Sequence, residues 1–265
     1  VVTTDHGSAL WQAAELEGIG LLPIPKMIGG RWSVFTPVGL FPLALCGVHI
    51  DDLLAGARNV TESAFAREHA PLRYATALYR SHMHGVSMVN FFFFNPEFES
   101  LGKWARQLYG ESLGKEKDRS GKKVHAGITP IVSIGSTDLH SMAQLYLGGP
   151  KDKFTLFLHI PERSKLSVSS DGLFLSLVDG LARHSPDELM GAIYEGVRSA
   201  YASHKLPRAE MRLSAISPYA IGQFLQLHMI AVMYLAEMLH VNAFDQPNVE
   251  DYKKFTREIL SRNKA

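Results

Sequence analysis

The chain is nearly devoid of cysteine: Cys46 stands alone among 265 residues. One thiol cannot close an intramolecular disulfide, which excludes a small secreted domain held by bridges and makes a reducing cytoplasm the simplest expected location. An excess of charge of either sign is also lacking, with 27 basic against 26 acidic side chains and a formal net charge of +1. No whole-molecule field gathers nucleic acid or an anionic membrane, so neither is expected as a partner and any anion must be bound locally. Signal peptide and initiator Met are both missing at Val1-Val2-Thr3-Thr4. These β-branched pairs, followed by Asp5-His6-Gly7, read as a strand entering a loop, with the expectation that the chain starts inside a fold.

Motifs of several chemistries are missing too. No Walker-type phosphate loop, dinucleotide fingerprint or nucleophile elbow occurs, and Cys46 lies in an apolar helix. His82-Met83-His84 has a metal-like look, but an i,i+2 pair without a third ligand reads as incidental. There is no internal repeat and no low-complexity segment. The longest apolar stretch, Tyr219 to Val241, has the length of a membrane span, yet Gln223, Gln226, His228, Glu237 and His240 interrupt it, so it reads as a buried core helix.

What is present is 46% hydrophobic content, ample for a sizeable core. Ser8 to Gly18 reads as a helix with Ser8 as N-cap, and Leu21 to Pro25 as an extended connector. Ser33 to Val48, with Pro37 and Gly47 at starting and stopping positions, reads as a buried helix. Asp51 to Arg58 is a short amphipathic helix, and Thr61 begins another that runs through a break at Pro71 to Leu72, Ala75 and Leu78. Val86 to Phe94 is a continuous apolar run, the mark of a strand covered on both faces. The helical spacing of Leu101, Trp104, Ala105, Leu108 and Tyr109 then predicts an amphipathic helix ending near Tyr109. Lys115 to Lys123 reads as a solvated charged loop. Further strands are predicted at Ile128 to Ile134, Phe154 to Ile160 and Arg212 to Ile216, with a helix over Ser185 to His204. Strands alternating with helices imply an α/β fold, a parallel sheet flanked by helices on both faces.

Four stretches carry the chemistry. Gly135-Ser136-Thr137-Asp138 places free amides and a helix N-terminus at the carboxyl edge of the sheet, where open α/β sheets bind their ligands. His140, in the first helical turn, is either a capping residue or a neutral imidazole suited to proton transfer. Glu111, between Gly110 and Gly114, faces the negative end of a helix dipole, which favours its taking a proton; the alternative is an i,i+4 ion pair with Lys115. Lys253 lies in the first turn of a helix opened by Pro247-Asn248, either paired with Glu250 or Glu237 or aimed at a ligand. Arg31, after Gly29-Gly30, is either a guanidinium for an oxyanion or a buried structural arginine.

Together and in order, Gly29-Gly30-Arg31-Trp32-Ser33, Gln107-Leu108-Tyr109-Gly110-Glu111-Ser112-Leu113-Gly114-Lys115, Gly135-Ser136-Thr137-Asp138-Leu139-His140 and Phe244-Asp245-Gln246-Pro247-Asn248-Val249-Glu250-Asp251-Tyr252-Lys253 resemble the phosphoglucose isomerase family. The resemblance runs along almost the whole chain. It implies the sugar-isomerase (SIS) type of flavodoxin-like three-layer sandwich: residues 1–25 as the end of a preceding SIS domain and linker, 26–216 as the second SIS domain, and 217–265 as a C-terminal helical arm. It implies interconversion of glucose 6-phosphate and fructose 6-phosphate, a step of glycolysis and gluconeogenesis, through a cis-enediol and without metal or nucleotide cofactor.

By the same resemblance Glu111 is the base moving a proton between C1 and C2, and Arg31 stabilises the enediolate. His140 assists ring opening in the site of a neighbouring subunit, as in a homodimer, with Lys253 acting near the ring oxygen. Gly30 and Gln246 line the sugar-phosphate site. The family's Ser- and Thr-rich phosphate loop has no counterpart here, so the chain corresponds to the C-terminal half and is expected to be inactive alone. A non-catalytic phosphosugar-binding SIS module is the rival reading, and His228 has no role in either.

Overall fold

The structure, a computed structural model, describes residues 1–66, 69–161, 166–169 and 180–262. Strands β1 (Val2–Asp5) and β2 (Leu21–Ile24) pair in parallel around helix α1 (Ala9–Leu16), whose first turn is capped by Ser8 Oγ accepting from the Trp11 amide. A 3-10 turn, Gly30–Phe35, then leads into α2 (Pro37–Leu45). The sequence predicts a buried helix here, but α2 has no buried residue and Leu45 is 73% exposed. Its apolar composition is uniform around the helix, so a single packed side, along the 3-10 turn and β2, leaves the remainder uncovered.

Helix α3 (Ile50–Ser63) is one continuous element where two were predicted, and Pro71 opens α4 (Ala70–Met83) instead of breaking a helix. A proline at a first helical turn removes no hydrogen bond, which explains the difference. Then come β3 (Met88–Phe93), α5 (Glu99–Leu113), β4 (Lys115–Lys117), β5 (Lys123–Ala126), β6 (Thr129–Ile134), α6 (Thr137–Gly148) and β7 (Lys153–Leu158). The chain closes with α7 (Pro186–Ser203), β8 (Arg208–Met211), α8 (Pro218–Met238) and α9 (Val249–Arg262).

The main sheet is wholly parallel, in the order β6-β3-β7-β8. Alternation along β3 and into the residue after it explains four consecutive phenylalanines: Phe91 and Phe93 enter the core beneath α4, α5 and α8, whereas Phe92 and Phe94 pack in the cluster of Tyr146 of α6 and Tyr201 of α7. The last strand lies at Arg208–Met211, upstream of the predicted Arg212 to Ile216. As an edge strand it is covered only in part, so Arg-Ala-Glu-Met carries no apolar run to reveal it. The predicted solvated loop at Lys115 to Lys123 is an antiparallel hairpin, β4 with β5. Its turn is held by Asp118 Oδ1, which accepts from the amides of Ser120 and Lys122 at 2.9 and 3.0 Å.

Among the described residues α8 alone has the length and composition of a membrane span. It is instead a core helix, with ten of its residues buried, packed on α3, α4 and α5. Two glycines allow the closest approach. A Cβ on Gly56 would lie 1.9 Å from the Tyr219 carbonyl oxygen, and one on Gly222 would lie 2.0 Å from that of Leu53. Gly222→Ala should therefore force α3 and α8 apart and lower stability by about 1–3 kcal/mol or more in a denaturant melt, against no change if the helices could slide freely.

At the centre of this layer His228 of α8 is 0% exposed. Its Nδ1 is 2.9 Å from the Tyr109 hydroxyl, and the rings of Phe224, Tyr74 and Phe91 surround it at 4.5, 5.4 and 5.4 Å. Burial among rings without an anion pushes the imidazole down to about 3, so the folded state holds it neutral. The sign follows: below the unfolded value near 6.5 only the unfolded chain takes up this proton, and stability is lost as pH falls toward 3. His228→Met should flatten the acid-side dependence of unfolding free energy by about 1.4 kcal/mol per pH unit between roughly pH 6 and pH 4. An unchanged slope in urea melts at several pH values would remove His228 as the cause.

Candidate active site

The site grows from the buried guanidinium of Arg31, 3% exposed, at the start of the 3-10 turn. Its Nε donates to Ser112 Oγ at 2.8 Å, and its Nη1 donates to Gln246 Oε1 at 2.6 Å and to Glu111 Oε2 at 3.3 Å. Its Nη2 donates to the carbonyls of Ala243 and Asp245 at 2.7 and 3.0 Å. Burial pulls the guanidinium below its usual value, while Glu111 and then Asp245 pull it back. Of the two sequence readings of Arg31, the buried structural arginine is what the structure shows, and the carboxylate it faces is the protein's own Glu111.

Glu111 lies in the last turn of α5, which runs to Leu113, past the predicted end near Tyr109. Its Oε1 accepts from Gln107 Nε2 at 3.1 Å, one helical turn back, and the side chain remains 32% exposed. The carboxylate is thus held on both oxygens while one side stays open. The i,i+4 ion pair with Lys115 does not form. Lys115, 5% exposed, instead donates to the carbonyls of Glu111 and Asp245 at 2.6 and 2.7 Å, with Asp245 Oδ1 at 3.4 Å. Burial lowers the ammonium from its usual value and Asp245 opposes this.

Gly30 and the loop carrying Asp245 border a cleft of about 790 Å³ whose walls include Lys26, Ser33 and Asn242. That volume lies in the range of small-molecule sites. A Cβ at Gly30 would meet no atom within 4 Å, so packing does not demand glycine there; its effect is to leave the backbone open beside Arg31.

Two predicted residues are not brought to this cluster. Lys253, on α9, donates to Glu250 Oε1 at 2.7 Å, which raises its affinity for the proton, and α9 has no buried residue. Glu237, the other expected partner, pairs with Arg119. His140 is exposed in the first turn of α6, beyond the carboxyl end of β6. Glu111 sits at the opposite edge: α5 runs back along the sheet, with Gly102 beside Val132 and Gly110 beside Pro130. Six residues of β6 separate the two edges by roughly 17–20 Å, and α6 lies on the other face of the sheet from α5. The polar cluster around Arg31 therefore does not lie at the carboxyl edge, where the sequence reading expects a ligand. The polar cluster stands at the amino edge, because the helix end that carries Glu111 returns there. The Gly135 turn itself is held by Asp138, whose Oδ2 accepts from the Ile134 amide at 2.7 Å.

The sequence reading missed Ser112, Lys115 and Asp245 as members of the cluster. Lys115 was hidden by the charged run that follows it, although a cation immediately after a helix-ending Gly114 is a signal for capping orphan carbonyls. Among the described residues no three His, Cys, Asp or Glu side chains come together as a metal site would need.

Comparison with known proteins places this geometry in context. A family profile described as phosphoglucose isomerase matches residues 16–171. The chain is 35% identical over 269 residues to glucose-6-phosphate isomerase of Carboxydothermus hydrogenoformans, covering 99% of this chain and 58% of the relative. It is 37% identical to a glucose-6-phosphate isomerase of Thermus thermophilus, covering 98% of this chain and 63% of the relative. A crystal structure of a hypothetical protein from Thermus thermophilus superposes with a TM-score of 0.89 at 37% identity, over 98% of this chain and 62% of that one. A Chlamydia trachomatis glucose-6-phosphate isomerase shares the fold with a TM-score of 0.84 at 18% identity. The chain spans about three-fifths of the length of the relatives it matches. With a profile matching more than half its length and relatives above 30% identity, the chain belongs to the phosphoglucose isomerase family.

Proposed function

We propose that this chain supplies the base and the enediolate-stabilising cation of an aldose–ketose isomerase that interconverts glucose 6-phosphate and fructose 6-phosphate. The observation that carries the reading is the contact of Arg31 with both Glu111 and Gln246, three residues from segments distant in sequence. A guanidinium beside a half-open carboxylate holds that carboxylate in place and leaves its open side free to receive a proton. In the open-chain aldose, Glu111 removes the proton on C2 and returns it to C1, while the proton on O2 moves to O1. The charge that develops on oxygen in the cis-enediolate is met by an Nη1 donor of Arg31 released from Glu111 or Gln246, while Ser112 Oγ and the carbonyls of Ala243 and Asp245 keep Nε and Nη2 fixed. The cleft beside Gly30 takes the phosphosugar, and Gln246 orients it.

His140 and Lys253 fit the ring-opening step only if they act from another position. His140 stands at the far edge of the sheet from Glu111, so we assign it to the site of a second copy in a homodimer. The rival, a phosphosugar-binding module without catalysis, has no need of a carboxylate held at both oxygens.

Two outcomes test the proposal. In a full-length isomerase carrying these 265 residues, Glu111→Gln should lower kcat by about 10²–10⁴-fold and abolish exchange of the C2 proton with solvent. Retained exchange in a folded variant would remove Glu111 as the base. The 265-residue chain on its own should show no turnover of glucose 6-phosphate in a coupled assay; full turnover would show that a phosphate grip from outside these residues is unnecessary.

A further inference from the structure

We propose that Lys115 is a positioning residue of the reaction, a buried cation that locks the helix end bearing Glu111 to the loop bearing Gln246. The inference rests on the reading of Glu111 as the base. The Lys115 ammonium has three donors, and three acceptors surround it: the carbonyls of Glu111 and Asp245 at 2.6 and 2.7 Å and Asp245 Oδ1 at 3.4 Å. Were α5 to continue, the Glu111 carbonyl would receive the amide of residue 115; because the helix stops at Leu113, the side chain of that same residue takes the amide's place. The base therefore stands on a carbonyl that Lys115 holds.

The same nitrogen holds the loop. Between His240 and Gln246 three cations take alternate carbonyls: Arg119 Nε binds that of Val241 at 3.1 Å, Arg31 that of Ala243 at 2.7 Å, and Arg31 and Lys115 together that of Asp245. Arg31 links Glu111 to Gln246 through side chains. Lys115 links the two through backbone, one residue behind Gln246 and directly beneath Glu111. It touches neither carboxylate oxygen of Glu111, so its effect is on distance and angle.

The test compares Lys115→Met with Arg119→Met, which loosens the same loop without touching α5, in a full-length isomerase carrying the chain. Lys115→Met should lower kcat about 10–100-fold. It should weaken a hydroxamate analogue of the enediolate by the same factor, with KM changed less than about threefold. Arg119→Met should leave kcat within about threefold. Equal losses in both variants, or an unchanged kcat in Lys115→Met, would overturn the proposal. If Lys115→Met does not fold, Lys115→Arg decides: it keeps the charge but cannot place one nitrogen on both carbonyls, so an unchanged kcat overturns the proposal and a lower kcat at an unchanged melting midpoint supports it. Hydrogen exchange on the 265-residue chain separates the two readings. Amides of residues 243–246 should exchange at least about tenfold faster in Lys115→Met. A full-length wild type without isomerase activity, together with this result, would refute the assigned reaction and leave the clamp standing, and unchanged exchange would refute the clamp.

Discussion

The burial of one guanidinium governs this structure. Arg31 makes five hydrogen bonds, to Ser112, Glu111, Gln246 and the carbonyls of Ala243 and Asp245, which matches the five donors of the group. A buried charge is tolerated only when its donors are satisfied, and removing one partner of such a set costs about 3–5 kcal/mol. The three segments that meet at Arg31 are consequently fixed relative to one another. Glu111 then needs no separate device to face Gln246.

That constraint also sets where the chemistry lies on the sheet. A helix that follows a strand returns along it, so the end of α5 stands at the amino edge while the turn after β6 stands at the carboxyl edge. One domain of this kind places Glu111 and His140 at opposite edges and on opposite faces. In the function proposed above, a site using both draws them from two copies.

The core is arranged to hold these helix ends still. Gly56 and Gly222 bring α3 and α8 into backbone contact, and His228, neutral in its ring of aromatics, ties α8 to Tyr109, two residues before Glu111. A polar group so deeply buried adds direction to a contact that apolar packing alone would leave free to slide.

Much of this was legible in the residues. The phenylalanine run gave a strand covered on both faces, and Ser8 and Ser185 gave helix starts, whereas Arg31, Glu111 and Gln246 were singled out together only by the resemblance of their stretches to the isomerase family. Propensity, capping and period-two alternation are local, and local rules suffice for the strand and the helix starts. What they could not give was the exposure of α2, the place of the edge strand β8, the burial of Lys115 or the separation of His140 from Glu111. Each depends on which surface covers which, and on the direction a helix takes back across the sheet. Lys115 shows the difference most plainly: beside four more charges its sequence reads as solvated, and only the carbonyls of Glu111 and Asp245, 134 positions apart in the chain, turn it into a buried cation.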